Sequence, residues 1–411
     1  MRFNHLIVPA AMAAALSLPV APVLADEAAA LLAAGHLEAG SLSAGDAELR
    51  ALLQRDPNNG EARLGLGMIR MVQALEHLSQ GLYRYGLQAP EDGMLPVVGL
   101  PLPKNPSPDP ITYDALRDLL IAFHDDLERA EITLGTLGSL DAKVPLNVFA
   151  IAYDVDGDGT VSDSEHFVEA VRMLAGGEPP PEELPVIAFD LADGIWLRGY
   201  ANLLMGFTDF MLAHDWRVTF ETTFHLFFPN ANLPMREART STEFDTFGFE
   251  ATSIADAIAF IHLINWPVIE PERLAELRSH LKATTALSRQ NWEAILAETD
   301  NDREWLPSPR QDPALGDIRV TWDQVKNWQL ILNEFDLILD GGKLLPHWRF
   351  AQGVNLRRVL EEPLPFDLVL WITGSAALPY LEDGPVATEA EWRDLTRAFG
   401  PNFGGYAAWF N

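Results

Sequence analysis

Three stretches of the chain carry apolar side chains at the spacing of an α-helix, and they constrain the fold more than any other feature. The stripes are Leu116, Leu120, Phe123, Leu127, Ala130 and Leu134; Trp196, Tyr200, Leu203, Phe207, Phe210 and His214; and Trp322, Val325, Gln329, Leu332, Phe335 and Leu339. Such spacing places each set on one face of a helix, which must pack against another surface. Residues 254–264 and 271–296 have helical patterns as well. Asp193 precedes the second stripe as its expected N-cap, and Gly341-Gly342 should end the third helix. The apolar run 368–372 fits a strand or a buried helix. The sequence therefore predicts a mainly α, multi-helix fold.

The N-terminal residues 1–25 have the pattern of an export signal. Arg2 supplies a positive start, an alanine- and leucine-rich run follows, and small residues lead to Ala25. The alternative is a membrane anchor, but prolines interrupt a run that is already short for a bilayer span. We expect cleavage after Ala25 and a soluble bacterial protein, periplasmic or secreted, with no membrane insertion after signal cleavage. The chain contains no cysteine, so neither disulfides nor lipoprotein attachment is available to it.

Composition divides the rest of the chain into three segments. Residues 26–87 predict an N-terminal helical region, and residues 111–411 predict the main helical domain. Between them, residues 88–110 hold seven prolines, which favours an extended connector. Its apolar residues indicate that the connector packs against the fold.

Residues 56–67 contain a helix break followed by a new helical pattern. The break, Asp-Pro-Asn-Asn-Gly at 56–60, and Leu66-Gly67 resemble the junction between successive tetratricopeptide repeats. The resemblance implies a helical hairpin here, although the same residues also make a common helix break. Because solenoids stack three or more units, one such hairpin would not form a peptide-binding groove.

The formal net charge of −30 limits the partners of the chain. So negative a surface disfavours nucleic acids and anionic lipids, and it attracts cations. With 48 % hydrophobic residues and 11 tryptophans, the chain can still bury a substantial core.

Residues 154–165 read Asp-Val-Asp-Gly-Asp-Gly-Thr-Val-Ser-Asp-Ser-Glu, with carboxylates at the first, third, fifth and twelfth places. A hard cation such as Ca²⁺ takes six to eight oxygen ligands, and the loop can supply them. The candidate ligands are Asp154, Asp156, Asp158, the carbonyl of Thr160, Ser162 and Glu165. Gly159 permits the sharp turn that folds the early ligands round an ion. The alternative is a solvated acidic turn without an ion.

This dodecamer resembles the calcium loop of the EF-hand family, and the resemblance covers the loop and the helix predicted after it, residues 162–174. It implies Ca²⁺ as the bound ion. Residues 144–153, before the loop, fit a short strand at least as well as a helix. No second loop of this kind is present in the sequence, and a calcium switch needs two helices that move apart. We therefore expect a structural calcium site.

A second acidic segment suggests another cation site. Its alternating acids are Glu298, Asp300, Asp302 and Glu304. Alternate carboxylates can converge in a tight turn, but this segment lacks the glycine and the distant glutamate of the first loop. The alternative is a solvated helix end.

Motifs for catalysis are missing from the sequence: it has no nucleophile elbow, phosphate loop, dinucleotide fingerprint or zinc-protease motif. His124 and His214 each stand beside an acid, yet sequence neighbours on a helix point in different directions. We expect helix-end or surface roles for both histidines.

Three functions remain open from the sequence. The first is an exported calcium-binding protein whose ion is mainly structural. The second is a periplasmic carbohydrate-active hydrolase or lyase, because carboxylate pairs and tryptophans suit sugar cleavage. The third is a helical scaffold that binds a partner. The sequence does not identify a protein or carbohydrate partner.

Overall fold

The computed structural model describes residues 22–88, 102–169, 186–234, 251–314 and 319–411. Within these ranges the fold is mainly α, as predicted. The helices are α1 (Pro22–Glu38), α2 (Leu42–Arg55), α3 (Gly60–Arg84), α4 (Tyr113–Gly135), α5 (Leu191–Ala213), α6 (Arg217–Thr223), α7 (Ala251–Leu263), α8 (Glu272–Ala297), α9 (Trp322–Leu339), α10 (Leu356–Glu361), α11 (Leu368–Thr373), α12 (Glu389–Thr396) and α13 (Phe403–Phe410). Residues 1–21 of the predicted signal and 89–101 of the predicted connector lie outside the described ranges.

The described strands form three short antiparallel pairs. They are β1 (Val144–Leu146) with β2 (Ile187–Phe189), β3 (Asn265–Trp266) with β5 (Phe366–Asp367), and β4 (Gly353–Val354) with β6 (Leu381–Glu382). In the first pair Val144 lies opposite Phe189. Strand β1 lies in the segment before the acidic loop that the sequence left open between strand and helix, and a 3-10 turn at Val148–Ala150 follows it.

Helices α2 and α3 form the hairpin expected at residues 56–67. Asn59 caps α3, because its side-chain oxygen accepts a hydrogen bond of 2.7 Å from the Ala62 amide. The described end of the connector packs against the fold, as predicted. Leu102 lies against an aromatic core, and the Asn105 side chain donates to the Tyr83 carbonyl.

Helix α5 lies between α4 and α8, and its start differs from the prediction. We expected Asp193 to cap the helix, but the cap is Asp190, whose side chain accepts from the Ala192 amide at 2.7 Å. Asp193 takes the third helical position, and its carboxylate accepts from the Asp190 amide at 3.0 Å. The prediction missed this reciprocal capping box by three residues.

The buried face of α5 also differs from the predicted stripe. Leu203 and Phe207 are 43 % and 61 % exposed. Small and polar residues are buried instead: Gly199, Ala201, Asn202, Gly206, Thr208 and Asp209. A Cβ on Gly206 would lie 3.0 Å from Leu277 Cδ1, so glycine permits the close approach of α8. Because α4 and α8 both pack closely against α5, small residues are buried there and part of the predicted apolar stripe is exposed.

The largest described core runs across the predicted boundary between residues 87 and 111. It contains buried side chains from Ala29 in α1 to Met205 in α5, including Leu127 and Leu134 of α4. A second core surrounds Trp216 and joins the ends of α3, α4 and α5. A third contains Trp292, Trp328, Phe399 and Phe410. The N-terminal helices therefore share their core with the predicted main domain.

Two further predictions concern helix ends and short apolar runs. Helix α9 ends just before Gly341, whose φ of +72° stops it as predicted. Residues 368–372, undecided from the sequence, lie in helix α11 because Asp367 caps it by accepting from the Leu370 amide. Across the described ranges, every helix is too short or too polar to cross a membrane.

Candidate metal centre

The acidic loop 154–165 is held closed at its base by backbone pairing. Ala152 and His166 form an antiparallel bridge. The Tyr153 amide donates to the Glu165 carbonyl at 3.2 Å, and the Phe167 amide donates to the Ile151 carbonyl at 2.8 Å. These bonds bring the first and twelfth residues of the loop together. Residues 170–174 of the helix predicted after the loop lie outside the described ranges.

The first aspartate organises the turn of the loop. Asp154 accepts hydrogen bonds from the amides of Gly157 at 2.7 Å and Gly159 at 2.9 Å. Both glycines have positive φ, +74° and +86°, which other residues rarely adopt. The backbone therefore wraps round the Asp154 carboxylate, as the predicted sharp turn at Gly159 requires.

Glu165, at the twelfth place, closes the loop from the other side. One carboxylate oxygen accepts from the amides of Val155 and Asp156, at 2.8 and 3.2 Å. The other accepts from the Ser162 amide at 2.7 Å and the Ser162 hydroxyl at 2.8 Å. Burial alone would raise the pKa of Glu165, but these hydrogen bonds outweigh it and hold the pKa below its usual value. The side chain is thus buried and ionised.

The structure brings three of the predicted carboxylate ligands together. One oxygen each from Asp154, Asp156 and Glu165 lies within 4.8 Å of the others. Asp158 is exposed, and its carboxylate accepts from the amide and hydroxyl of Thr160, both at 2.7 Å. Asp158 therefore stands at the mouth of the loop, outside this group of three.

Helix α3 supports the loop through two side chains that sequence reasoning missed. The Glu76 carboxylate accepts from the Asp154 amide at 3.0 Å, and the Gln80 amide group donates to the Asp154 carbonyl at 2.8 Å. Burial raises the pKa of Glu76, and the charges of Asp154 and Glu165 add to that effect. The only sequence signal was a polar pair four residues apart on one helix face. At the eighth place, Val161 packs against Gly40.

The second acidic segment, residues 298–304, divides between two environments. Asp300 and Asp302 both contact the Lys143 ammonium group, with Nζ–Oδ2 distances of 2.7 and 2.8 Å. Glu298 and Glu304 turn away from the lysine towards the start of α5. The structure therefore does not bring the four predicted ligands to one point.

Glu298 and Glu304 converge with Asp190, the cap of α5. One oxygen from each of the three lies within 4.8 Å of the others, and buried Asp193 is close enough to interact with them. Burial and the charge of Asp190 raise the pKa of Glu298 to about 8 and that of Glu304 to about 7. Such a cluster holds protons or a cation. Asp190 had no signal in the sequence beyond its position before a helix.

A cleft of about 320 Å³ lies between α5, α8, α10 and residues 363–380. Its walls are largely apolar, with Phe210, Leu360, Phe366 and Trp371 among them, and Asp367 supplies its carboxylate. Glycosidic cleavage uses two carboxylates that flank the bond. The cleft walls do not offer that pair, so the carbohydrate-hydrolase alternative gains no support from this site.

No protein-family model, curated protein or solved structure matches the chain. The chemistry of the candidate site therefore rests on its own residues. The site consists of three converging carboxylates and two glycines with positive φ, on a loop whose two ends are joined by backbone hydrogen bonds.

Proposed function

We propose that this chain is an exported calcium-binding protein in which Ca²⁺ braces the helical core. The observation that carries the proposal is the convergence of Asp154, Asp156 and Glu165 around a turn that backbone amides already hold in shape. Carboxylate and carbonyl oxygens are the ligands that Ca²⁺ prefers. The net charge of −30 favours cation uptake, and the N-terminal pattern favours export to the periplasm or the outside.

A structural role fits the surroundings of the loop better than a sensor role. A sensor loop lies between two helices that move apart when the ion binds. Here the preceding segment is strand β1 and a 3-10 turn, and α3 holds the Asp154 backbone through Glu76 and Gln80. An ion at this position joins the loop to a long buried helix. At about 1 mM Ca²⁺, a dissociation constant of roughly 10⁻⁴–10⁻³ M would add about 0.4–1.4 kcal/mol to the free energy of unfolding.

Calorimetric titration of chelator-stripped protein with Ca²⁺ tests the proposal. We expect one site in the wild type and at least about tenfold weaker binding in Glu165→Gln, which removes a charged ligand. Asp163→Asn is the matched control, because Asp163 is exposed in the same loop but occupies the tenth place. Equal binding by wild type and Glu165→Gln would refute calcium binding at the loop.

The free energy of unfolding tests the structural role separately from binding. Urea unfolding with and without Ca²⁺ should show the stabilisation given above for the wild type and for Asp163→Asn, but not for Glu165→Gln. Calcium that binds without changing the free energy of unfolding would disprove the bracing role while leaving the site intact.

A further inference from the structure

Three helices packed against one another bring two histidines and an aspartate together, outside the acidic loop. His124 lies in α4, Asp209 in α5 and His280 in α8. One donor atom from each residue lies within 4.8 Å of the other two. The His124 Nε2 atom is 3.4 Å from Asp209 Oδ1, and the His280 Nε2 atom is 3.5 Å from Asp209 Oδ2. The expected helix-end or surface role for His124 is therefore wrong, because the residue lies mid-helix and faces α5.

The hydrogen bonds of Asn202 determine which nitrogen of His280 carries its proton. The Asn202 Nδ2 group donates to the Arg198 carbonyl at 3.0 Å, so its Oδ1 atom is the one that faces His280 at 2.9 Å. Because Oδ1 can only accept, His280 Nδ1 must donate. The neutral ring then directs the Nε2 lone pair at the Asp209 carboxylate. Two acceptors facing each other at 3.5 Å require a cation or a proton between them.

Asp209 is fully buried, and one of its oxygens has no partner in the described part of the chain. Its side chain is 0 % exposed. Oδ1 accepts from Arg273 Nη1 at 2.9 Å, but neither Oδ2 nor the His124 Nε2 atom has a hydrogen-bond partner among the described residues. A buried carboxylate oxygen without a partner is costly, and this one lies 3.5 Å from the His280 Nε2 atom.

A proton alone satisfies this arrangement poorly. The two imidazole centroids are 5.9 Å apart, so protonating both rings would bring two positive charges close together. A proton on His124 would satisfy Asp209, yet it would leave the His280 lone pair facing the carboxylate.

We propose that His124, Asp209 and His280 bind a divalent transition-metal ion of the Zn²⁺ class. Two ligand atoms at about 2.0–2.1 Å from a tetrahedral Zn²⁺ ion lie about 3.3–3.4 Å apart. Each imidazole Nε2 atom is near that distance from one carboxylate oxygen of Asp209, at 3.4 Å from Oδ1 for His124 and at 3.5 Å from Oδ2 for His280. Two imidazoles and a carboxylate are ligands that Zn²⁺ prefers over the all-oxygen set of the acidic loop. Asn202 and Arg273 would orient His280 and Asp209 from outside the ligand set, as supporting residues commonly do.

The three residues supply three of the four ligands that a tetrahedral ion takes. The side chains of His124 and His280 are 17 % and 21 % exposed, so the site lies near the protein surface. Exposed Glu128 and Glu276 add negative charge that reaches His280. Three protein ligands with an open fourth position make a site where the ion can bind water or a small ligand.

Calorimetric titration with Zn²⁺ tests this site in full-length protein already saturated with Ca²⁺. We expect one Zn²⁺ site in the wild type, weakened at least about 100-fold in His280→Gln and in His124→Gln. The matched control is His77→Gln, because His77 Nδ1 bonds Asp126 Oδ2 at 2.7 Å without a second histidine. No Zn²⁺ binding in the wild type, or unchanged binding in both ligand variants, would overturn the proposal.

A spectroscopic measurement on the wild type covers the case in which a variant fails to fold. Tetrahedral Co²⁺ absorbs visible light strongly, whereas six-coordinate Co²⁺ absorbs weakly. Added Co²⁺ should give the strong bands, and Zn²⁺ should displace them. Weak six-coordinate bands, insensitive to Zn²⁺, would show that the three residues form a buried ion pair between helices and not a metal site.

Discussion

Glu298 and Glu304 differ from most carboxylates of this acidic chain because Glu298 is half-buried, Glu304 is buried, and both lie beside another acid. Burial and the charge of Asp190 raise their pKa values to about 8 and about 7, and the Gln311 side chain donates to Glu298 at 2.9 Å. In the unfolded chain both groups have pKa values near 4.5. The folded state therefore holds protons that the unfolded state releases.

We expect this difference to make stability fall as pH rises. Between about pH 4.5 and 8 the folded state binds more protons than the unfolded state, so the free energy of unfolding decreases with pH. The slope is at most about 1.4 kcal/mol per pH unit for each extra proton. Urea unfolding in chelator at several pH values should show a shallower decline for Glu298→Gln than for the wild type.

Glu293→Gln is the control for that measurement. Glu293 lies in the same helix, α8, but is exposed, so its removal should leave the decline unchanged. A Glu298→Gln protein whose stability fell as steeply as the wild type's would contradict the prediction.

At the level of residues, the sequence predicted that Asp154, Asp156 and Glu165 converge, because they lie within twelve positions of one loop. The glycine φ angles follow from the loop pattern itself. In contrast, Glu76 meets Asp154 across 78 positions, and His124, Asp209 and His280 come from three helices. Single-sequence patterns carry no information on which helices become neighbours, so these contacts could not be predicted.

Among the elements, α5 shows how packing on two sides changes a helical pattern. The sequence predicted its existence and nearly its bounds, but not its buried face. Because α4 and α8 both approach closely, glycines and small polar residues replace the large apolar side chains there. Periodicity alone favoured the larger stripe, which includes exposed Leu203 and Phe207.

The start of α3 offers a direct test of close helix packing. A Cβ on Gly60 would overlap the carbonyl oxygen of Asp141, which is backbone and cannot rotate away. We expect Gly60→Ala to lower the free energy of unfolding by about 1–3 kcal/mol, as other overpacked sites do. Chemical denaturation would measure this change.

Gly35, in the last turn of α1, is the matched control. No atom lies within 4 Å of the position that its Cβ would occupy. Gly35→Ala should therefore be neutral or stabilising by up to about 1 kcal/mol, from helix propensity alone. Equal effects of the two substitutions would argue against the Gly60 contact.

Across the whole molecule, the largest core crosses the segment boundary that composition suggested. The proline-rich segment separates residues 26–87 from 111–411 in sequence. Yet Leu134 of α4 belongs to the shared core, and it packs directly beside Gly67 of α3. The helical class was predictable from periodicity, whereas the way that the helices share cores depends on three-dimensional contacts.

We expect residues 111–411 to lose cooperative folding when they are produced alone. Removing α1–α3 would expose the buried face of α4, including Leu127 and Leu134. Thermal melting followed by circular dichroism should give a broad transition, compared with a sharp one for residues 26–411. An unchanged midpoint and sharpness in the shorter chain would disprove the shared core.

The hydrogen bonds that hold Glu165 over its loop have a kinetic consequence. Four donors fix this side chain, and together they occupy the roughly four lone-pair sites of its two oxygens. An arriving Ca²⁺ ion must therefore displace some of these donors before Glu165 can act as a ligand. Association should be slower than at a loop whose carboxylates face only water, and the rate should rise when the Ser162 hydroxyl is removed in Ser162→Ala.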